Sequence, residues 1–459
     1  MKIGMFKAMR LCKQYNKLKS TEQAQVRRSR LEKLVSWAKD NSPVYANLYK
    51  GLSAQFTMAD LPPMNKAELM PQFDRWITDS SVKLMDIERF MKNPDNIGRK
   101  YDDRYLVFTT SGSTGNPLTV LCDKTTYNVM GAINTIRSFA RKEDMKSFVM
   151  RGGKSMGVFA TGGFYLSNSS VRARLLAMPW KKRKFGVISA LSPTPEIVQS
   201  LNQFQPAMLG GYPSSLDLLV EEQEKGHLNI APVLIMTGGE YLSDTVRQNL
   251  QRAFGCWVQT SYACTEAGTI ACECTENHFH INEDWVIVEP VDDANNPVPD
   301  GVQASKILIT NLFNYTQPFI RYEITDRVVM HHTPCPCGKP SPWLTVEGRT
   351  DDMLHFDVAG QSIKIPPLAI YATLIKIKSV RRFQLVAHPG NIVELRIVPA
   401  DGYNTEAAFA CAKDVLIRFL ADHCIREVTI LLSNMPPQQQ SGSGKYKHIA
   451  FDSNRYKNE

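Results

Sequence analysis

Across residues 156–259 short apolar runs alternate with stretches of helical periodicity, and that alternation constrains the fold more than any other feature of the chain. The runs fall at 156–160, 187–190, 207–209, 233–236 and 257–259, and helical periodicity starts between them at Pro195, Ser214 and Ser243. Buried strands separated by helices that carry the chain back to the same sheet edge predict parallel strands with crossover helices, hence an α/β fold. Ligands in such sheets sit beyond the carboxyl ends of the strands. The loops there read Ala160-Thr161-Gly162-Gly163, Gly210-Gly211-Tyr212-Pro213, Thr237-Gly238-Gly239-Glu240 and Tyr262-Ala263-Cys264-Thr265-Glu266. Three of them hold a glycine pair, which lets backbone approach a ligand closely; a tight strand-to-helix turn asks for glycine equally well.

Upstream, Thr109-Thr110-Ser111-Gly112-Ser113-Thr114-Gly115-Asn116-Pro117 lies between two more apolar runs, 105–108 and 118–122, and reads as a loop between strands. Residues 109–115 supply five hydroxyls and two glycines, a backbone able to turn its N–H groups toward a polyphosphate. It is not a Walker loop, because Asn116-Pro117 replaces the Lys-Ser/Thr pair, and it is not G-x-G-x-x-G. A plain surface turn of the same composition is the alternative.

A chain of 459 residues is long enough for two or three domains. Its 43% hydrophobic and 22% charged residues exclude disordered and collagen-like classes. The charge of +9 suits an enzyme handling anionic nucleotides, and a solvated basic surface explains it as well; no nucleic-acid partner is expected. Ten cysteines without a signal peptide point to free thiols or a metal site in a reducing, cytoplasmic compartment. No apolar run approaches the ~18 residues that span a bilayer, so no integral membrane segment is expected. Residues 1–20 carry six Lys/Arg and no acid; a first helix is the favoured reading, a membrane-surface segment the alternative. Ser20 with Gln23 suggests a capping box for a helix that buries Leu31, Leu34, Val35 and Ala38 and ends near Asn41-Ser42-Pro43.

Further on, Cys272, Cys274, His278 and His280 precede Cys335-Pro336-Cys337-Gly338. One Cys and one His from the first group would complete a four-coordinate zinc site with Cys335 and Cys337, although C-x-C is tighter than the usual spacing and free thiols are the alternative. The tail predicts a smaller α+β unit: a hairpin across 383–398 turning at Pro389-Gly390-Asn391, a helix from Thr405 and a strand at 428–432. A Ser/Gly loop then presents Lys445; Gln439 and Tyr446 stand where a Walker loop has its first glycine and its Ser/Thr.

Six strings, in order along nearly the whole chain, resemble the motifs of the adenylate-forming superfamily of acyl-CoA synthetases and ligases. The nearest likeness is to the phenylacetate-CoA ligase branch, including relatives that adenylylate a deazaflavin. The resemblance implies that Thr110, Ser111, Gly112, Ser113, Thr114 and Gly115 hold the β- and γ-phosphates of ATP, and that Gly238, Gly239 and Glu240 pack against adenine. It implies that Tyr262 lies on the adenine, Thr265 near the α-phosphate, and that Glu266 binds Mg²⁺; Ala263 stands where glycine is usual. Asp326, in Arg321-Tyr322-Glu323-Ile324-Thr325-Asp326, would hold the ribose hydroxyls, with Thr325 in place of a common glycine. Gly348-Arg349-Thr350-Asp351-Asp352 is similar to the superfamily hinge, with Arg349 on the nucleotide and Asp351 as pivot. Lys445 would reach the α-phosphate and the carboxylate during adenylation. Some relatives carry zinc, and their pattern falls on Cys274, His280, Glu283 and Asp284; with Cys335 and Cys337 the expected ligand set is Cys274, His280, Cys335 and Cys337.

The expectation is therefore a large α/β domain with mixed sheets and crossover helices over 1–347, a hinge at 348–352, and a small mobile α+β domain over 353–459. The function it implies is ATP- and Mg²⁺-dependent activation of a small organic acid, with an aryl acid favoured, as an acyl-adenylate, followed by transfer to coenzyme A, an amine or a carrier. A homodimer is allowed for. Residues 357–366 replace the glycine-rich loop usual beside the pantetheine channel, which puts thioester formation in doubt. The alternatives are AMP transfer to a phenolic hydroxyl and a noncatalytic nucleotide-binding protein.

Overall fold

The computed structural model describes residues 3–110, 117–349, 354–358, 360–365, 367–439 and 446–451. The chain divides into two compact units. The larger holds Met1–Ile324 and Val328–Thr345; the smaller holds Val346–Ser441, Tyr446–Glu459 and the short piece Thr325–Arg327.

In the larger unit, β1 (Lys100–Tyr101), β2 (Tyr105–Thr109) and β3 (Thr119–Cys122) form an antiparallel sheet. They are followed by β4 (Ser155–Phe159), β5 (Phe185–Ser189), β6 (Met208–Gly211), β7 (Leu234–Gly238), β8 (Trp257–Cys264), β9 (Gly268–Glu273) and β10 (Phe279–Ile281). A third sheet holds β11 (Val286–Val291), β12 (Lys306–Asn311) and β13 (Tyr322–Ile324), and the chain continues into β14 (Asp326–His331) and β15 (Trp343–Arg349). Among the described residues the main sheet runs β14-β15-β10-β9-β8-β7-β6-β4-β5. Strands β4 to β8 pair parallel through crossover helices, as the alternation predicts, and β8, β9, β10 and β15 continue antiparallel, which makes the sheet mixed.

Each crossover helix follows local chemistry. The helix Asp244–Phe254 begins where the Ser243 hydroxyl accepts the Val246 N–H at 3.2 Å and ends at Gly255, whose φ of +62° closes the last turn. Val246, Leu250 and Phe254, four residues apart, bury its one apolar face against a core that includes Leu216, Leu219, Ile235 and Val258. Loss of one such side chain, as in Leu250→Ala, costs about 3 kcal/mol.

Three expectations are corrected. The helix Ser20–Asn41 ends where the sequence says, but its cap is the Glu22 carboxylate accepting the Lys19 N–H at 2.9 Å, with Ser20 already inside the helix; Gln23 instead donates to the Tyr15 carbonyl. Tyr262, Ala263 and Cys264 are not loop but the end of β8, which outlasts its apolar run by pairing with β9. The described residues of the loop expected over 357–366 are strand and turn: β16 (Leu354–Val358) and β17 (Gln361–Ile365) pair as a hairpin, with the Asp357 carboxylate accepting the Gly360 N–H at 3.0 Å.

That hairpin belongs to the smaller unit, where β18 (Val380–His388), β19 (Ile392–Pro399), β20 (Thr429–Leu432) and β21 (Ile449–Phe451) form a sheet ordered β20-β19-β18-β21. The turn after His388 places Gly390 at φ +77° and Asn391 at φ +57°, the left-handed region those residues tolerate. The helix Thr405–Asp422 buries Ala408, Ala412, Leu416 and Leu420 against this sheet.

Candidate functional site

The carboxyl ends of β4, β6 and β7 carry the glycine loops, and the register of β7 on β8 sets part of the expected nucleotide set side by side. Gly238 pairs with Ser261, so the Gly238-Gly239-Glu240 segment lies beside Tyr262. A Cβ on Gly238 would meet the Ser261 hydroxyl at 3.5 Å, an ordinary contact, whereas Gly239 has φ +79°, which strains any side chain. The Glu240 carboxylate accepts the Ser214 N–H at 3.2 Å, at the start of the helix Pro213–Glu224, where an acidic group also meets the positive end of the helix. Tyr212 is buried and its hydroxyl accepts the Ala160 N–H at 3.4 Å; burial, with Glu240 nearby, pushes its phenol up to about 12. Through that bond and the edge-to-face contact of Phe159 with Tyr212 at 5.3 Å, the loops after β4, β6 and β7 are held as one surface.

Glu266 lies in the turn between β8 and β9, past a bulge at Tyr262 and Ala263, a distortion that commonly re-aims residues at sites. It is only 7% exposed, an unusual placement for a carboxylate, while Thr265 beside it is half-buried. Burial pushes the Tyr322 phenol well up, and the carboxylate of Glu266 adds to the effect, which puts the two groups in each other's field.

A buried amide relay fixes this turn. The Asn311 side chain donates to the Glu266 carbonyl at 2.8 Å and accepts the N–H groups of Phe313 and Asn314. Asn314 then donates to the Leu121 carbonyl, and Gln317 accepts the Leu121 N–H at 2.7 Å and donates to Thr119. All three amides are within 1% of full burial, so each bond forms in a medium where leaving it unmade is costly. They satisfy the outer edge of β3, the strand that leaves the hydroxyl-rich loop, and tie it to Glu266. Sequence reading missed these residues: the spacing Asn311, Asn314, Gln317 after an apolar strand was the available signal, and it looks like an ordinary turn.

Thr110 forms the neck of the hydroxyl-rich loop. Its N–H donates to the Leu118 carbonyl at 3.0 Å and its hydroxyl accepts the Leu118 N–H at 2.9 Å, so this hydroxyl closes the hairpin. Ser111, Gly112, Ser113, Thr114 and Gly115, together with Asp351 and Lys445, lie outside the described residues. Asp326 opens β14 and is half-buried within the smaller unit, and Arg349 ends β15.

At the far end of β9 and β10 the ligand atoms of Cys274, His280, Cys335 and Cys337 all lie within 4.8 Å of one another. The Cys274 and Cys335 sulfurs are 3.8 Å apart, which matches the roughly 3.8 Å edge of a tetrahedron with Zn–S bonds of about 2.3 Å. The Cys337 sulfur is 3.2 Å from His280 Nε2. His280 donates Nδ1–H to the Ser341 carbonyl at 2.9 Å, which leaves Nε2 as the ligating atom. The backbone N–H groups of Glu276 and Lys339 point at the Cys274 and Cys337 sulfurs, and Gly338 turns the chain between them with φ +79°. Burial pushes the Cys274 thiol up to about 12 and His280 down to about 4, so this pocket favours neutral ligands until a cation offsets the thiolate charge. The donor set fits zinc. Of the two choices at each position, Cys272 is buried against Asn282, away from the other sulfurs, while His278 stacks on Trp343 at 3.7 Å and holds its Nδ1 3.3 Å from the Cys335 sulfur, at the rim of the cluster. Glu283 and Asp284 serve structure instead, Asp284 as a buried two-pronged partner of Arg137 at 2.7 and 3.0 Å and Glu283 facing Arg27 at 3.2 Å.

All ten cysteines are free thiols, and among the described residues no helix is long and apolar enough to cross a membrane. Residues 23–310 match the family described as AMP-binding enzyme. Protein CapK of Staphylococcus aureus is 23% identical over 314 residues, covering 67% of this chain and 63% of its own length, under two thirds of that relative. The fold is similar to 2-hydroxyisobutyryl-CoA ligase in the postadenylation state in complex with R3-HIB-AMP, with a TM-score of 0.70 and 18% identity over 95% of this chain and 91% of that one. It is also similar to that ligase with 2-HIB-AMP and CoA in the thioesterification state, at TM-score 0.56 and 20% identity over 95% and 91% of the two chains. The amide bond synthetase McbA from Marinactinospora thermotolerans matches at TM-score 0.50 and 14% identity over 73% of this chain and 66% of that one.

Proposed function

The chain belongs to the AMP-binding enzyme family, and on that premise we propose that it condenses a carboxylic acid with ATP to an acyl-adenylate, releases pyrophosphate and passes the acyl group to coenzyme A. The observation that carries this reading is Glu266, a carboxylate kept buried in a turn that a chain of buried amides ties to the strand leaving the hydroxyl-rich loop. Attack on an α-phosphate gathers charge on several oxygens, and a divalent cation held by a carboxylate offsets it. Glu266 is that carboxylate in the proposal and would hold Mg²⁺. Thr265 beside it would contact the α-phosphate, and residues 111–115 would cradle the β- and γ-phosphates.

Gly238, Gly239 and Tyr262 would frame the adenine, and the two vicinal ribose hydroxyls would donate to Asp326, as two donors suit one carboxylate. Arg349 and Lys445 would complete the charge, Lys445 bringing the acid's carboxylate to phosphorus against its own repulsion. Cys274, His280, Cys335 and Cys337 would hold one structural zinc. Likeness of the fold to a ligase that binds an acyl-adenylate and CoA supports coenzyme A as acceptor, and the likeness to an amide bond synthetase supports an amine as the variant chemistry. A phenylacetate-like aryl acid is the finer expectation.

The test is trapping. Protein incubated with ATP, Mg²⁺ and each acid of a broad panel, with hydroxylamine present, should form a hydroxamate from at least one acid and only when ATP is added. An ATP-dependent AMP label on a phenolic acceptor, with no hydroxamate from any acid, would refute acid activation.

A further inference from the structure

From Met145 through Pro195 the chain contains no Asp or Glu, and it carries Lys146, Arg151, Lys154, Arg172, Arg174, Lys181, Lys182, Arg183 and Lys184. Those nine cations equal the excess of the whole chain, 54 basic less 45 acidic. The nearest acids before them, Glu143 and Asp144, already face Arg141 at 3.8 and 2.6 Å. Most of this charge lies on two connections. One leaves the helix Lys142–Met150 and enters β4; the other leaves the helix Leu166–Ala177, passes through a short turn at Pro179–Arg183 and enters β5. Since β4 and β5 pair parallel, and the Ser155 N–H donates to the Lys184 carbonyl at 2.8 Å, the two connections meet at the amino ends of neighbouring strands. That is the opposite end of the sheet from the glycine loops, so these cations are not placed for the nucleotide.

Set among them are large apolar side chains that the fold leaves out: Trp180 is 73% exposed, Met150 69%, Val149 66% and Leu176 50%. Lys182, Arg183 and Lys184 are exposed beside Trp180, and Arg151 beside Met150. Single exposed apolar residues need no explanation, but four spread over the last turns of these two helices and the connection after the second, in a stretch with nine cations and no acid, do. Among the described residues the sheet ends there in β5, half-buried along its length and paired on its β4 side alone.

We propose that this face docks on an anionic lipid surface, with Trp180, Met150, Val149 and Leu176 entering the headgroup boundary and the Lys/Arg side chains meeting acidic headgroups. Tryptophan prefers that depth, aliphatic side chains gain by leaving water there, and clustered Lys/Arg next to them are drawn to a negative surface. Aliphatic exposure of this kind favours lipid over nucleic acid, whose bases stack on aromatic faces and whose phosphates need only the cations. Surface docking does not depend on which acid the enzyme activates.

The experiment is co-sedimentation of the full chain with phosphatidylcholine vesicles, with and without about a third phosphatidylglycerol. Binding should require the anionic lipid and weaken in about 1 M salt, where the screening length falls to roughly 3 Å. Two variants, Lys181→Gln/Lys182→Gln/Arg183→Gln and Trp180→Ser/Met150→Ser, should each lose about tenfold in vesicle-bound fraction. Both should keep their circular dichroism and their activity with a soluble acid. Absence of sedimentation with anionic vesicles overturns the proposal. So does wild-type binding by either variant, which would move the contact to another basic segment such as residues 1–20. Binding to a short RNA or DNA duplex that vesicles fail to displace overturns it in favour of a nucleic-acid partner.

Discussion

Glu266 and Lys445 carry opposite kinds of information. Glu266 sits 7% exposed, so its replacement by Gln keeps the shape of the turn and removes only charge; Lys445 comes from a Ser/Gly-rich string outside the described residues, and its role rests on resemblance. Glu266→Gln should lower acid-dependent turnover about a hundredfold, with the deficit narrowing as Mg²⁺ is raised, because what it weakens is metal affinity. A deficit that high Mg²⁺ leaves untouched would deny it the role of ligand. Lys445→Ala should cut turnover by more than tenfold, about 1.4 kcal/mol of barrier or more, with the melting temperature little changed. His448 offers a test of the smaller unit. Burial among Tyr371, Phe383 and Tyr446 lowers its pKa from 6.5 to about 4. The unfolded chain then binds the extra proton, so the stability from keeping His448 neutral is full above about pH 6.5 and is lost as pH falls toward 4, at most about 3 kcal/mol. His448→Phe should flatten that stretch of the denaturation profile; an unchanged profile would assign the acid lability to other groups.

At the scale of elements, the parallel half of the main sheet was legible because its strands are apolar runs between helices, and the observed strands start within two residues of those runs. The antiparallel extension was not. Residues Tyr262 to Cys264 look polar and loop-like because β8 leaves the core there and pairs with β9 across a bulge, where hydrogen bonding outweighs apolar pattern. The amide relay was equally hidden, since Asn311 and Asn314 after a strand read as turn formers and Gln317 as a surface residue until tertiary structure buries them. Its energy is testable: Asn311→Ala would leave the Glu266 carbonyl and two N–H groups without their partner, and it should cost about 3 kcal/mol of stability and lower turnover as well. Normal turnover at reduced stability would mean the relay holds the fold and not Glu266. The Cys/His cluster was legible as two groups in the sequence, yet the choice of Cys274 over Cys272 and His280 over His278 was made by resemblance; the structure brings those four side chains together. Elemental analysis of untagged protein should find one zinc per chain. A strong chelator should lower the melting temperature before it lowers turnover, because the site ties together β9, β10 and the chain before β15, away from the glycine loops; a zinc-free preparation of full stability would contradict it.

For the whole molecule, two compact units, with the hinge-like string 348–352 falling within the first residues of the smaller one, suit the proposed reaction with two half-steps, since adenylation and attack by the acceptor need different access to one intermediate. Asp351→Pro would hold φ near roughly −65° and restrict Thr350 too. It should lower the overall reaction and pyrophosphate exchange in different proportions; equal loss of both, with the fold intact, would argue against a hinge there. The central claim is that the chain joins AMP to a carboxylate. The measurement that meets it most directly is exchange of labelled pyrophosphate into ATP by the wild-type chain, with Mg²⁺, across a panel of aryl, hydroxy and short aliphatic acids. The account predicts exchange that depends on one class of acid and disappears when the acid is omitted. Exchange without any acid, or none with the whole panel from protein that still binds ATP, would contradict it.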